Sequence, residues 1–361
     1  MTCILMTADT VGGVWQYATD LASGLVELGF EPIIATMGPR PSEAQRVRVG
    51  VEIVETDLPL DWLAASLREI TEAGHEIAQL AEKLGADIVQ VNAPALVAQT
   101  AFDQPVVAVA HSCVGTWWQA VKGGRIDSDL GWRAELTAAG LRAADHVVAP
   151  SGAFAVMLQH CYGLDNAPAV VRNGRRPLPV APGGQPEPAA FTAGRLWDDG
   201  KNVAVLDHAA ASMSVPMRAA GPVRGPNGTA IALRHVQPLG SVGDVEIAQQ
   251  LASRPVFASA AVYEPFGLAV LEAAQAGCAL VLSDIPTFRE LWDGAACFVY
   301  PHDAAGFARA IETIVGDPDL RDRLGAAARE RAGDYTVDRM AAGMAAVYRA
   351  LPVAAPERAA A

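Results

Sequence analysis

The sequence has few cysteines, no long apolar run and little positive charge. Its five cysteines lie far apart along 361 residues, which excludes a disulfide framework or a zinc cluster and is typical of reduced thiols in a cytosol. The formal net charge of −13 disfavours nucleic acid as a partner. The opening MTCILMTADT has no basic leader, and no apolar stretch is as long as a membrane-spanning helix. We therefore expect a cytoplasmic protein without a signal peptide or transmembrane segment; peripheral membrane contact and the oligomeric state stay open.

Two common nucleotide-binding motifs are also missing. The pattern Gly-x-Gly-x-x-Gly does not occur, which disfavours a standard nicotinamide or flavin site. The stretch GRLWDDGKN, residues 194–202, is close to a P-loop, but it has one residue too many between its glycines. Asn202 also takes the place of the Ser or Thr that holds magnesium in a P-loop. The sequence therefore disfavours an ATPase as well.

What the sequence does contain is a regular alternation of short apolar runs and helical patterns. Val14 to Leu28 has apolar residues at helical spacing, and Gly29 follows as a stop signal. The predicted strands are CILMTA, EPIIAT, VEIVE, ADIVQV, PVVAVA and DHVVAP in the first half and AAFTAG, VPMRAAG, AIALRHV, PVFASA, ALVLSD and ACFVY in the second. Such alternation predicts an α/β fold with parallel sheets covered on both faces.

The rhythm stops once, in a segment rich in Pro and Gly, and this interruption suggests two Rossmann-like, doubly wound domains that face each other across a cleft. The predicted division is a first domain over 1–172, a linker over 173–188, a second domain over 189–336, and a last helix over about 337–351 that packs back on the first domain. Ligands bind such sheets outside the carboxyl ends of the strands. We therefore expect the functional residues in the loops that follow strands.

One of these loops predicts an anion site. Arg195 follows a strand, and Lys201 precedes a helix that begins near Asn202. A helix N-terminus already favours negative charge, so two flanking cations suit a phosphate or diphosphate. The alternative is a solvated pair of cations in a loop that also carries Asp198 and Asp199.

The stretch EPFGLAVLE places free amide groups and two carboxylates at the start of another helix. The backbone N–H groups of Phe266, Gly267 and Leu268 have no partner within the helix, and Gly267 has no side chain to keep a ligand away. Glu264 precedes the helix and Glu272 lies about one turn inside it. Carboxylates bind vicinal hydroxyls well, so the segment predicts a sugar or anion site. The alternative for Glu272 is a side chain that only stabilises the first turn.

Three further positions follow predicted strands. His111 comes directly after PVVAVA, at the carboxyl end of a strand, and is a candidate cleft residue; a buried core histidine is the alternative. Ser151 is interpreted as a helix N-cap. Trp117 and Trp118 lie in a predicted cleft loop, either as a stacking platform or as packing, and we favour packing.

No metal site is predicted. The triplets Asp127-Ser128-Asp129 and Asp317-Pro318-Asp319 have an Asp-x-Asp pattern that can bind a divalent ion. Here the first lies in a polar loop and the second in a Pro-broken turn between helices, so we interpret both as solvated.

Several of these stretches together resemble the retaining glycosyltransferases of the GT-B fold, family 4. EPFGLAVLEA is similar to the Glu-x7-Glu motif of that family, AGRLWDDGKN to its Arg/Lys diphosphate clamp, and MTADTVGGVWQYATDLASGL to its N-terminal glycine loop and helix. VAHS resembles its strand-end histidine, VVAPS its strand and helix cap, and AGCALVLSDIPTFREL its usual continuation, with Glu290 in the expected place. The resemblance runs in order over nearly the whole chain.

The resemblance implies a role for individual residues. Arg195 and Lys201 would neutralise the diphosphate of a nucleotide sugar, Glu264 would bind hydroxyls of the donor hexose, and Glu272 would hold the ribose. The other implied contacts are backbone donors from Phe266, Gly267 and Leu268, close approach of the first loop at Gly12 and Gly13, and His111 beside the transferred sugar. Asn173-Gly174 matches the family at the domain junction, but Arg175 and Arg176 depart from its usual continuation and receive no role.

The function that the resemblance implies is hexose transfer, with retention, from a nucleoside-diphosphate sugar to a hydroxyl acceptor such as a saccharide, a lipid-linked saccharide or a small metabolite. Positive charge around the departing diphosphate would supply most of the catalysis, without a metal or other cofactor. UDP-glucose is the expected donor because uracil nucleotides are the commonest donors in the resembled family. The alternatives are a GT-B sugar-nucleotide epimerase, a phosphorylase-like protein and a catalytically silent nucleotide-sugar-binding protein.

Overall fold

The computed structural model describes residues 1–47, 49–179 and 186–352. Seven strands form the first sheet: β1 (Thr2–Asp9), β2 (Phe30–Met37), β3 (Glu52–Leu58), β4 (Ile88–Val91), β5 (Val106–Val109), β6 (His146–Ala149) and β7 (Ala169–Val170). Six strands form the second: β8 (Ala190–Ala193), β9 (Met217–Ala220), β10 (Gln237–Gly240), β11 (Val256–Ser259), β12 (Leu280–Ser283) and β13 (Cys297–Val299).

Helices cover both faces of each sheet. They are α1 (Gly13–Glu27), α2 (Glu43–Val47), α3 (Leu67–Leu84), α4 (Val114–Val121), α5 (Ser128–Ala143), α6 (Gly152–Tyr162), α7 (Val203–Ala210), α8 (Asp244–Ala252), α9 (Leu268–Ala276), α10 (Pro286–Trp292), α11 (Ala304–Gly316), α12 (Pro318–Ala332) and α13 (Val337–Arg349). Two short 3-10 helices span Pro94–Val97 and Asp199–Lys201.

Both sheets are parallel and doubly wound, which confirms the predicted fold class. The strand orders are β3-β2-β1-β4-β5-β6-β7 and β10-β9-β8-β11-β12-β13. In each sheet the order reverses next to the first strand of the domain, β1 or β8. Loops at such a reversal point leave a crevice, and the two crevices hold most of the candidate site residues.

The inner strands are continuous apolar runs because they are covered on both faces. Ile4, Leu5 and Met6 of β1 are fully buried, as are Leu280 and Val281 of β12. Successive side chains of a strand point to opposite faces, so neighbouring residues enter different cores. Ile4 and Met6 pack with α1, whereas Leu5 packs with α3 on the other face.

Helix α13 lies against the first domain although it comes last in the chain. Met340, Met344 and Tyr348 belong to the same buried cluster as α1 and β1. A Cβ added to Gly24 of α1 would lie 2.7 Å from the Cβ of Ala341, so the two helices approach closely. The second domain is therefore attached to the first through helix packing as well as through the linker.

Three local predictions are wrong. AIALRHV, predicted as a strand, contains no strand residue, because the Asp207 carboxylate accepts the backbone N–H groups of Arg234, His235 and Val236 and takes the donors that a ladder needs. The strand forms just after this segment, as β10. Trp117 and Trp118 lie within helix α4 and not in a loop, and Ser128 begins helix α5.

The predicted linker is only partly described. Residues 173–179 have no regular secondary structure, and 180–185 lie outside the described residues.

The Asp317 side chain caps α12 by accepting from the N–H of Leu320 at 2.9 Å. Ser151 caps α6 as predicted, by accepting from the N–H of Phe154 at 3.2 Å.

Side chains of each domain bond to the backbone of the other. Ser151 Oγ donates to the carbonyl of Pro265 at 2.7 Å. The Glu290 carboxylate of α10 accepts the N–H groups of Gly152 and Ala153 at 3.0 and 2.7 Å. Glu290 thus pairs with the positive N-terminus of α6, which lies in the other domain. These bonds hold the two strand-end crevices opposite each other.

Candidate functional site

The two predicted cations lie at the start of the second domain, after β8. Arg195 Nη2 bonds to Asp198 Oδ2 at 2.9 Å, and the Lys201 ammonium bonds to the Glu264 carboxylate. Burial opposes the ionisation of Asp198, but Arg195 and the hydrogen bond from Trp117 outweigh it and hold the pKa of Asp198 below its usual value. Each cation is therefore oriented by a carboxylate of its own domain.

The turn that carries these cations approaches the neighbouring strands closely. Gly194 has φ +146°, and Gly221 after β9 approaches it so closely that a Cβ there would lie 1.8 Å from the Gly194 carbonyl oxygen. Asn202 has φ 52° and is held by its amide, which donates to the carbonyls of Ala260 and Pro301 at 3.0 and 2.9 Å. Glycine and asparagine tolerate this left-handed region best, so the turn that carries both cations is fixed by its backbone.

The N-terminus of α9 faces the same crevice. The helix begins at Leu268 after Gly267, which has φ +97°. The Phe266 ring is buried against Tyr335 with ring centroids 5.5 Å apart, so only its backbone is available to a ligand. Glu264 lies with its side chain 13% exposed beside Lys201. The structure therefore places Lys201, Glu264 and the Gly267 turn together.

The glycine loop of the first domain lies opposite this turn. Gly12 is the N-cap of α1, and a Cβ at this position would have open space around it for 4 Å. A Cβ on Gly13 would lie 3.3 Å from Leu268 Cδ1 of the second domain. Two helix N-termini, α1 and α9, thus point toward the same cleft from different domains. An anion bound between them would be attracted by both N-termini, because each presents unpaired N–H groups.

His111 follows β5 and faces the cleft from the first domain. Its Nε2 lies 2.9 Å from Asn92 Oδ1, and its ring packs edge-on against Tyr17 at 4.3 Å between centroids. Burial lowers the pKa of His111 to about 3, so the imidazole is neutral at physiological pH. A neutral ring can donate or accept one hydrogen bond but cannot supply positive charge.

The Glu272 carboxylate is already engaged in an ion pair. It accepts from Arg175 Nε at 2.7 Å. Arg175 also bonds to Asp20 Oδ2 at 3.0 Å and to Asp244 Oδ2 at 3.3 Å. This charge cluster of Arg175, Asp20, Asp244 and Glu272 joins α1, the linker, α8 and α9. The ribose contact of Glu272 stays a prediction, and a ribose there would share the carboxylate with Arg175.

The same cluster explains the unusual pair of arginines after Asn173-Gly174. The Arg175 side chain is only 8% exposed, whereas Arg176 is exposed and donates to Ser23 Oγ at 2.7 Å. A signal for this cluster exists in the sequence, since Asp20 lies in the middle of α1 among apolar residues, whereas the other carboxylate of the helix, Glu27, is its last residue. Its partner could not be read from the sequence, because 155 residues separate Asp20 from Arg175.

A cavity of about 400 Å³ lies between the two domains, with most of its lining from the first. His111, Arg195 and Asp198 lie at its cleft side, and the aromatic wall comes from Trp62, Trp117, Trp132 and Trp197. Trp117 crosses between the domains, because its Nε1 donates to Asp198 Oδ1 at 2.9 Å. Trp118 lies outside this lining and is buried.

The described residues contain neither a candidate metal site nor a helix suited to cross a membrane. Among residues 1–47, 49–179 and 186–352, no group of three His, Cys, Asp or Glu side chains is placed to bind a metal ion. In the same ranges, no helix combines the length and the apolar character that a membrane crossing requires.

Models of known protein families match both halves of the chain. The family model Glycosyltransferase Family 4 matches residues 11–176, and the model Glycosyl transferases group 1 matches residues 230–331. The chain is 27% identical over 366 residues to a phosphatidyl-myo-inositol mannosyltransferase of Mycolicibacterium smegmatis, with 94% of this chain and 90% of that protein covered. A segment of 93 residues is 41% identical to the glycogen synthase of Mycobacterium tuberculosis, and it spans 24% of this chain and 22% of that enzyme.

Solved structures show the same fold at low identity. The sucrose-phosphate synthase from Thermosynechococcus elongatus superposes with a TM-score of 0.77 at 18% identity, covering 97% of this chain and 98% of that one. Anabaena HepE, solved in complex with UDP-glucose, superposes with a TM-score of 0.75 at 18% identity, covering 97% of this chain and all of that one. With both family models matched in order and the whole architecture shared, the chain belongs to the family 4 glycosyltransferases of the GT-B fold.

Proposed function

We propose that the protein transfers a hexose, with retention of anomeric configuration, from a nucleoside-diphosphate sugar to a hydroxyl acceptor, and that UDP-glucose is the donor. The observation that carries this proposal is the convergence of Arg195, Lys201 and two helix N-termini on one cleft, with Glu264 beside them. The complex of Anabaena HepE with UDP-glucose supports the choice of donor through a shared fold.

The hard step is departure of the diphosphate from the anomeric carbon. In this proposal Arg195 and Lys201 stabilise the negative charge that builds on the phosphate oxygens, and the N–H groups at Gly267 and Leu268 add to it. Lys201 exchanges its bond to Glu264 for a phosphate oxygen, and the freed carboxylate accepts from a hydroxyl of the hexose. Removing one such preoriented donor typically raises the activation free energy by about 3–4 kcal/mol.

No metal is needed for this mechanism. The positive charge comes from side chains and backbone groups that are held in place before the donor binds. Neutral His111 lies where it can bond to a hydroxyl of the transferred sugar without adding charge. Glu272 takes the ribose through its oxygen that does not bond to Arg175.

Replacing Arg195 by alanine tests the proposal. We expect turnover with UDP-glucose to fall by roughly two to three decades, because one preoriented cation is lost from the leaving group. Arg289→Ala is the matched control, since Arg289 is an exposed arginine of the same domain that pairs with Asp284 at 2.6 Å. Chelation with EDTA should leave the wild-type rate nearly unchanged. A fully active Arg195→Ala variant, or loss of activity on chelation, contradicts the mechanism.

The products distinguish the alternative activities. Release of free nucleoside diphosphate together with a glycosylated product supports transfer, and the anomeric coupling constant of that product by NMR reports retention or inversion. Formation of an epimeric nucleotide sugar would indicate the epimerase. Binding without turnover would indicate a silent nucleotide-sugar-binding protein.

A further inference from the structure

The cavity between the two domains has two chemically different ends. His111, Asn92 and Ser112 line it at the carboxyl ends of β4 and β5, toward the donor side of the cleft. Leu60 and Leu136 line it at the other end, and both belong to the buried core between the sheet and α3. A ligand that fills this space needs a polar end toward the cleft and an apolar body.

Four of the seven tryptophans of the chain line this cavity, and two of them, Trp62 and Trp132, lie at its apolar end. Trp117 and Trp197 lie at the cleft side, where Trp117 bonds to Asp198 and Trp197 packs against Arg195. Trp62 and Trp132 pack against the core of the first domain on one side, which fixes their rings. The guanidinium of Arg133 lies 4.5 Å from the Trp132 ring centroid and so supports it from a neighbouring position. Fixed indole rings bind flat apolar groups through large contact area at low entropic cost.

Two charged groups of the cavity lining are already engaged. Trp62 Nε1 donates to Asp9 Oδ2 at 3.4 Å. Arg133 Nη2 donates to the Ala64 carbonyl at 2.6 Å. A ligand therefore gains less from pairing with these groups than from contact with the indole rings.

The size of the cavity limits what it can hold. At about 400 Å³ it lies near the lower end of the range of about 300–1,000 Å³ that is usual for small-molecule sites. That volume fits one compact molecule. It does not fit several units of an extended saccharide chain.

We infer that this cavity selects a compact aromatic alcohol or phenol as the acceptor, with the ring among the tryptophans and the reacting hydroxyl next to His111. This inference rests on the proposed function. In the reaction the acceptor oxygen bonds to the anomeric carbon while the bond from that carbon to the diphosphate oxygen breaks. The electron pair leaves with the diphosphate, and the hydroxyl proton passes to a phosphate oxygen.

Calorimetry tests binding without any need for turnover. The full chain, saturated with UDP, is titrated with 2-naphthol, with maltotriose, and with vesicles that contain phosphatidylinositol. We expect saturable binding of 2-naphthol and none of the other two. Trp132→Leu and Trp62→Leu should each weaken that binding by roughly tenfold, the effect of losing one aromatic stacking partner. Trp118→Leu is the matched control, because Trp118 lies in α4 outside the cavity lining.

A kinetic measurement separates failure of this inference from failure of the proposed function. Slow hydrolysis of UDP-glucose in the absence of any acceptor reports the donor site alone, so this rate is measured for wild type and for each variant, and the rate of transfer is expressed relative to it. Absence of hydrolysis in the wild type would contradict the proposed function and not this inference. With 2-naphthol as the acceptor, the KM for that acceptor should rise while the KM for the donor stays constant. Binding or glycosylation of maltotriose or of the lipid in preference to 2-naphthol would overturn the inference and leave the donor site intact. A tryptophan variant that binds 2-naphthol normally would also overturn it.

Discussion

Replacing Arg175 by alanine should strongly destabilise the protein. Arg175 is the cation of the charge cluster, and its three nitrogens bond to Asp20, Asp244 and Glu272 at 3.0, 3.3 and 2.7 Å. Removing it leaves three carboxylates from both domains facing one another. Their side chains are 10%, 29% and 16% exposed, so water screens them only in part.

The expected magnitude follows from burial. Breaking a buried ion pair by removing one partner costs about 3–5 kcal/mol, because the remaining charge is left without compensation. In a domain of about 150–250 residues each kcal/mol lowers Tm by about 2–4 °C, so the expected decrease is about 6–20 °C. Lysine at this position keeps the charge but lacks the fork of donors, and it should recover only part of the loss.

The loss should also depend on pH. Burial raises the pKa of Glu272 first, and Asp244 and Asp20 add to this, while Arg175 opposes it. A carboxyl whose folded pKa is raised contributes stability at low pH that is lost as the pH rises through that pKa. Without Arg175 the pKa of Glu272 rises further. The Tm difference from wild type should therefore be larger at pH 8 than at pH 5.

Thermal unfolding at the two pH values, followed by circular dichroism, measures both effects. Arg176→Ala is the matched control, because Arg176 is the next residue and is exposed, with its guanidinium bonded only to Ser23 in the described structure. A Tm for Arg175→Ala within about 2 °C of wild type at pH 8 would refute the reasoning. So would a difference that grows toward pH 5.

Two further substitutions test the interface and the cavity. Glu290→Ala should destabilise the protein by about 1–3 kcal/mol, because the N–H groups of Gly152 and Ala153 lose their acceptor. Denaturant titration measures this change in stability. An unchanged midpoint would contradict the prediction and show that water replaces the carboxylate. Burial raises the pKa of Asp61 to about 6, so the folded protein loses stability as the pH rises from about 4 through 6. Asp61→Asn should therefore raise Tm relative to wild type more at pH 7.5 than at pH 5, and an equal difference at both pH values would contradict this assignment.

The fold was predictable because its signals are local. Buried parallel strands are short runs of Val, Ile, Leu and Ala, and helices between them carry apolar residues at regular spacing. The failure at AIALRHV has a nonlocal cause, since the carboxylate of Asp207 removes the donors from a segment that has strand composition. Strand propensity describes a fit to a half-buried ladder and cannot reveal a side chain that competes for the backbone.

The candidate site was predictable to the extent that its residues share short segments of chain. Arg195 with Lys201, and Glu264 with Gly267, lie within a few positions of each other, so spacing and helix-end chemistry indicate their function. The charge cluster and the tryptophan cavity are assembled from distant segments. Arg175 reaches an aspartate 155 positions earlier, and no periodicity in the sequence encodes that contact.

The paired state of the cations bears on how the cleft works. Lys201 bonds to Glu264 and Arg195 bonds to Asp198, so neither cation needs a ligand in order to be oriented. Pairing lowers the free energy of a cation in a partly buried site, and this reduces the gain on binding a diphosphate in the ground state. The diphosphate carries more negative charge as it leaves than as it binds, so the cations interact more strongly with the transition state than with the donor. Interactions of that kind raise turnover and not merely affinity. In the proposed mechanism, exchange of Lys201 from Glu264 to a phosphate would also free the carboxylate for the hexose, which would couple recognition of the sugar to neutralisation of the leaving group.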